Sequence, residues 1–142
     1  MKSSKEQVNA WLGVVAQGLG IDLKLDEENV CALHIEDEDL LLIIELSDQD
    51  GLVYLYTKLH PITFEDKLDS QLMQRALELN LFADGTRGGI IGISTEINEL
   101  IYSYAFPIDE KSSQDFEDLM YSFTQTAIEI KKDLQGFLAI KR

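Results

Sequence analysis

The chain has few of the residues that cross-link, ligate or catalyse. Its 142 residues include one cysteine, two histidines, two prolines and one tryptophan. A single thiol, Cys31, excludes an internal disulfide and suits a reducing compartment. One cysteine and two histidines leave no zinc-type ligand spacing, so no metal site is expected. Cys31 lies in the apolar run "VCALHI" and reads as an inert buried thiol. His34 shares that run and reads as a core or interface side chain, whereas His60, just before Pro61, reads as exposed.

Basic residues are also scarce. Twelve Lys and Arg face 26 Asp and Glu, for a formal net charge of -14. Such a field repels nucleic-acid phosphates and anionic lipid, both of which need basic patches. It favours basic or amphipathic partners, although solubility alone accounts for an acidic surface equally well. No apolar run approaches the ~20 residues that cross a bilayer. The start, "MKSSKEQVNAWLG", has no apolar signal core and no cleavage site, so a cytoplasmic protein without membrane insertion is expected.

Reaction motifs are missing too. In "SDQDG" a calcium loop with Gly51 at its sixth position would need ligands from Leu46 and Thr57, which cannot serve, so a hairpin turn is expected. "GTRGGIIG" opens a strand instead of a helix and has no Lys-Ser/Thr after it, so it reads as a turn rather than a phosphate cradle. No Gly-x-Ser-x-Gly elbow occurs. A carboxylate dyad forms in space and leaves no linear trace, so an enzyme with such a site remains a hypothesis with nothing positive behind it. The expectation is a protein that is not an enzyme, with no catalytic residues and no cofactor.

What is present is a foldable pattern. Hydrophobic residues make up 45% and charged residues 27%, which suits one globular domain over residues 1–142. Residues 4–19 predict a helix, with Ser4 and Gln7 as a capping box and Val8, Trp11, Leu12, Val15 and Leu19 at helical spacing. Residues 21–59 change period: "IDLKL" alternates weakly, "VCALHIE" and "LLLIIEL" are nearly continuous, and "GLVYLYTKL" is rich in β-formers. Their connectors are too short for parallel crossovers, so three or four strands in an antiparallel meander are expected. A helix follows from about Glu65 to Phe82. It carries one apolar stripe of Leu68, Leu72, Ala76 and Leu79 and a second of Met73, Leu77 and Leu81. A helix apolar on two sides needs two surfaces, of which one can be a second subunit. "ADGTRGG" is a turn, "IIGIS" and "ELIYSYAF" a hairpin, and a last helix runs from Ser112 or Ser113 to Gly136, leaving "FLAIKR" as a tail. The order helix, strands, helix, strands, helix is α+β.

The strands are apolar on both faces. Leu40, Leu42, Ile44 and Leu46 oppose Leu41 and Ile43; Val53, Leu55 and Leu59 oppose Leu52, Tyr54 and Tyr56; Leu100, Tyr102, Tyr104 and Phe106 oppose Ile101 and Ala105. Three helices can cover one such face and part of the other. The remaining apolar surface points to a protein partner.

The segment "ALELNLFADGTRGGIIGISTEINELIYSYAFPID" resembles class I type III secretion chaperones, the Tir-chaperone (CesT-like) family. There a helix ends in Asn-Leu-Phe, followed by a Gly-rich turn and two strands that end at an aromatic-Pro corner. "LGIDLKLDEENVCALHIEDEDLLLIIEL" resembles that family's start. The resemblance implies a homodimer of α-β-β-β-α-β-β-α protomers, each a twisted antiparallel sheet packed with three helices. It implies a virulence-associated chaperone that binds the N-terminal region of a secreted effector as an extended chain, with a cargo strand extending a sheet edge. Such a chaperone keeps its cargo soluble and secretion-competent, which brings in the export ATPase of the secretion apparatus as a further candidate partner. The alternative is an adaptor or regulator with the same fold that binds a cytoplasmic protein outside secretion. Candidate effector contacts are Trp11, Val14, Leu19, Leu42, Ile44, Leu46 and Leu55. Candidate dimer contacts are Leu72, Met73, Leu77, Leu81, Phe82 and Ile91. A one-residue error in strand facing would reverse every strand assignment.

Overall fold

The computed structural model describes residues 3–109 and 111–141. Its elements are α1 (Ser4–Leu19), β1 (Val30–Ile35), β2 (Leu40–Ser47), β3 (Leu52–Pro61), α2 (Lys67–Asn80), β4 (Ile90–Ser94), β5 (Glu99–Pro107) and α3 (Ser113–Lys141). Short 3-10 turns occupy Glu36–Glu38 and Leu81–Ala83. The strands form one five-stranded sheet in the order β1-β2-β3-β5-β4, with every neighbouring pair antiparallel. The expected α+β architecture and element order are therefore present.

The helix boundaries have identifiable causes. The cap of α1 is Ser3, not Ser4: its hydroxyl accepts from the Glu6 N–H at 3.2 Å, and Gly20 ends the helix in the left-handed region. α2 starts at Lys67, later than Glu65, because the Asp66 carboxylate caps it by accepting from the Leu68 N–H at 2.8 Å. α3 does not stop at Gly136. It continues to Lys141 because Phe137 and Leu138 still find the core, and that contact outweighs the roughly 1 kcal/mol that glycine costs a helix interior. Arg142, the last residue of the expected tail, lies outside the described residues.

"IDLKL" is not a strand. Leu25 is buried there, and its N–H donates to the Asn9 side-chain carbonyl at 2.7 Å, so the segment is pinned to α1 instead of the sheet. Alternation within the true strands is as expected. Leu40, Leu42, Ile44 and Leu46 of β2 are buried, with Val53, Leu55, Thr57 and Leu59 of β3 on the same face. The apolar stripes of α1, α2 and α3 meet this face in one core cluster. Trp11 stacks on Phe116 with ring centroids 5.2 Å apart, and Tyr102 on Phe123 at 4.6 Å.

The glycine turn between α2 and β4 is tight for a visible reason. A Cβ on Gly89 would fall 2.6 Å from the Ser103 carbonyl oxygen, so only glycine lets the chain enter the β4–β5 hairpin here. The Tyr102 hydroxyl donates to the Thr86 carbonyl at 2.8 Å and fixes the same turn from below. Burial pushes the Tyr102 pKa up to about 12.

Candidate functional site

The helices cover one face of the sheet and leave the other. This decides which candidate contacts are available. Trp11 is 1% exposed, and Leu42, Ile44, Leu46 and Leu55 are buried against the helices of the same protomer. These five candidate effector contacts lie in the protomer's own core cluster, enclosed by its helices. Leu72 and Ile91, two of the candidate dimer contacts, are buried in the same cluster. His34, read as a core or interface side chain, does not lie in the core. It is exposed at the sheet edge, with Nε2 3.7 Å from the Asp39 carboxylate.

Three apolar surfaces remain. The first lies at the end of α1. Val14 and Leu19 are exposed there, as is Ile21, beside an open groove of about 820 Å³ that Ala16, Gln17, Gly20, Ile21 and Leu23 help to line. The second is the outer face of the sheet. Leu41 is exposed and Ile43, Tyr54, Tyr56 and Ile101 are half-buried, and none of them belongs to the helix-covered core. Ile43 lies opposite Tyr56, and Tyr56 opposite Ser103, so a continuous row crosses three strands. Desolvation and the neighbouring Glu45 raise the Tyr56 pKa. These residues were legible in the sequence as the second face of each strand. Alternation alone does not say which of two apolar faces is covered.

The third surface is the end of α2 with β4. Leu77 is 69% exposed, Leu81 62% and Phe82 91%, with Ile90, Ile93 and Ile97 exposed on the hairpin. Met73 is half-buried and packs on the core's margin. Phe82 and Ala83 both have positive φ, at 59° and 55°. Two successive side-chain-bearing residues in the left-handed region cost about 1 kcal/mol or more each. Here that strain holds an aromatic ring out in water. α2 is fixed from behind by Arg75, which donates to Asp133 of α3 at 2.9 and 2.8 Å and to Glu78 at 3.1 Å. The Arg75 guanidinium holds the Asp133 carboxyl below its ordinary range.

Charge is distributed as unevenly as apolar surface. Residues 21–50, which hold β1, β2 and their connectors, carry eleven carboxylates and one lysine, a net of -10 out of -14. They bracket β1 at both ends. Lys5 and Lys131 reach this region, but each bonds a backbone carbonyl, of Asp26 at 2.8 Å and of Asp39 at 3.1 Å. Among the described residues no helix is long and apolar enough to cross a membrane.

Solved structures share this fold. The chain resembles one in the crystal structure of the ExsC–ExsE complex with a TM-score of 0.72 at 17% identity, covering 92% of this chain and 95% of that one. It resembles one in the HopA1–SchA chaperone–effector complex with a TM-score of 0.70 at 16% identity, covering 93% and 98%. A third likeness is to the ExoU–SpcU complex from the type III secretion system of Pseudomonas aeruginosa, with a TM-score of 0.62 at 12% identity, covering 92% and 96%. At these identities the likeness shows the fold alone. No curated protein matches the chain in sequence. The model of the Tir chaperone protein (CesT) family matches residues 12–131, and the chain belongs to that family of type III secretion chaperones.

Proposed function

We propose that this protein is a cytoplasmic, homodimeric chaperone that holds the N-terminal segment of a secreted effector in extended form. The observation that carries the reading is the uncovered outer sheet face, where Leu41, Ile43, Tyr54, Tyr56 and Ile101 form an apolar surface that no helix of the protomer reaches. An extended chain suits such a surface, because alternate side chains can sit on it while its backbone stays paired. Family membership and the fold shared with chaperone–effector complexes support it. The groove beside Val14, Leu19 and Ile21 continues the cargo path along α1. Leu77, Leu81, Phe82 and Ile93 supply the dimer contact: they form a clustered apolar surface of the kind two-fold interfaces bury. The whole chain acts as one domain, without catalysis of its own.

Native mass spectrometry of the protein purified from its host tests this. The expected species is two copies of the 16.1 kDa chain with one copy of a larger protein bound through its N-terminal region. A monomer that carries no secreted protein would overturn the proposal.

A further inference from the structure

The chain holds two Asp-Gly pairs, and the structure sets them apart. In such a pair the glycine nitrogen can attack the aspartate side chain, because no Cβ stands in its way. At Asp50–Gly51, in the turn between β2 and β3, both reacting groups are held. The Gly51 N–H donates to the Ser47 carbonyl at 3.0 Å, the Gly51 carbonyl accepts from the Ile108 N–H at 3.0 Å, and the Asp50 carboxylate accepts from the Ser47 hydroxyl at 3.3 Å. At Asp84–Gly85, in the turn between α2 and β4, both are free. Among the described residues neither the Asp84 carboxylate nor the Gly85 N–H has a hydrogen bond, and both residues are exposed. The backbone bonds of Asp84 are long: 3.3 Å from its N–H to the Leu81 carbonyl, and 3.4 Å from the Arg87 N–H to its carbonyl. Phe82, Ala83 and Arg87 all have positive φ, so the turn is strained as well as loose. Gly85 is nonetheless fixed by packing, since a Cβ there would fall 2.9 Å from the Leu79 carbonyl oxygen. The fold thus keeps a reactive pair where little restrains it.

The same turn ties β4 to α2. The Ile91 N–H donates to Asn80 Oδ1, and Asn80 Nδ2 donates to the Ile91 carbonyl, both at 2.8 Å. Just before β4 the Gly89 N–H donates to the Thr86 carbonyl at 3.1 Å, and the Thr86 hydroxyl donates to the Gly89 carbonyl at 2.7 Å. These bonds occupy outward groups of a sheet edge, and they close only while the chain between Asn80 and Ile91 keeps its length.

We propose that Asp84 is a site of spontaneous isoaspartate formation, and that the change unseals β4 with age. The Gly85 nitrogen bonds to the Asp84 Cγ. Its proton and the carboxyl O–H leave together as water, which closes a succinimide ring. Water then adds to one of the two ring carbonyls. Addition at the former main-chain carbonyl breaks its bond to the Gly85 nitrogen, so the backbone now runs through Cγ. One water leaves and one is taken up, and no oxidant or cofactor takes part. The product has one more methylene in the main chain and a carboxylate where the old peptide link was. The longer chain relieves the strained turn and loosens the hold of Asn80 on Ile91. This chemistry needs no cargo and no second copy, so it stands apart from the chaperone reading.

The test holds the full chain warm in water enriched in heavy oxygen, then digests it with trypsin in ordinary water. Cleavage after Arg75 and Arg87 gives Ala76–Arg87, and cleavage after Lys24 and Lys58 gives Leu25–Lys58, so the two pairs fall in separate peptides. Each passage through the ring adds one heavy oxygen. Electron-transfer fragmentation locates it and separates isoaspartate from aspartate. Asp84 is expected to take up label at least about tenfold faster than Asp50, whose groups must first leave their hydrogen bonds. Amide exchange at Ile91, followed by NMR, should be about tenfold faster in the converted fraction. Asp84→Glu keeps the charge but forms the ring poorly, and should hold both signals at their starting values. Asp84→Asn reaches the same ring by loss of ammonia and should show both changes sooner. Equal labelling of the two pairs, or faster labelling of Asp50, would overturn the inference. So would isoaspartate at residue 84 with Ile91 exchange unchanged, or faster Ile91 exchange in the aged Asp84→Glu variant.

Discussion

At the β1 edge carboxylates flank the strand at both ends, and among the described residues Ala32 and His34 make no outward hydrogen bond; at the β4 edge the exposed side chains are aliphatic and the backbone is taken by Asn80 and Thr86. One sheet therefore carries two surfaces with opposite rules of association. An apolar edge with its ladder closed can associate only through side chains, which suits a permanent contact between like copies. An open edge in a strong negative field suits a reversible contact with a chain of opposite charge, fast to form and sensitive to salt. Closing β4 also protects a protein with so much exposed aliphatic surface from endless edge-to-edge pairing.

The largest expected effect strikes the apolar edge. Phe82→Asp should weaken self-association by about a hundredfold or more, because each interface loses a buried aromatic and gains a charge to desolvate. Sedimentation velocity across a concentration series reads this, and an unchanged dimer would place the contact elsewhere. Next comes the seal on β4. Gly89→Ala puts a methyl group 2.6 Å from the Ser103 carbonyl and should cost about 2 kcal/mol of stability, seen as a lower urea midpoint.

Tyr102→Phe acts on the same turn more gently. It removes one of two donors to the Thr86 carbonyl, which keeps the Gly89 N–H, for a loss of about 1 kcal/mol. It should also change the pH profile. The folded pKa is raised to about 12 from an ordinary 10.0, so the native state holds this proton more tightly than the unfolded chain. Stability from this group is complete below pH 10 and falls as pH rises from there towards 12. The variant should lack that component of the alkaline decline in thermal melts.

Arg75→Ala is the smallest change. The ion pair with Asp133 is partly exposed, so its loss should cost about 1 kcal/mol or less. Because Asp133 is held below its ordinary 3.8, its contribution is present above that value and is lost as pH falls below it. The gap between the variant and the unmodified protein should therefore close in acid. A gap that stays constant down to pH 2 would mean that Arg75 acts through packing alone.

Most of the fold was legible as periodicity. Helical spacing marked α1 and α2, and period-two alternation sorted the faces of β2, β3 and β5 correctly, from Leu40–Leu46 through Phe106. Two of the larger errors share a cause: each needed knowledge of a distant partner. "IDLKL" has a strand's composition, but Asn9 holds it to α1. Gly136 looks like a stop, but Leu138 still reaches the core. Of the candidate contacts, Val14, Leu19, Leu77, Leu81 and Phe82 are exposed, while Trp11, Leu42, Ile44 and Leu55 are enclosed. An apolar residue reads the same whether a helix of its own chain or a guest covers it.

Residue order alone determined the alternation of faces, the positions of the helices and the net negative charge, because each follows from chemistry between near neighbours. Tertiary structure decided which apolar face the helices occupy and which edge is closed. The first choice depends on where three helices dock together. The second depends on Asn80 meeting Ile91, a contact made only when the turn between them folds α2 back along β4.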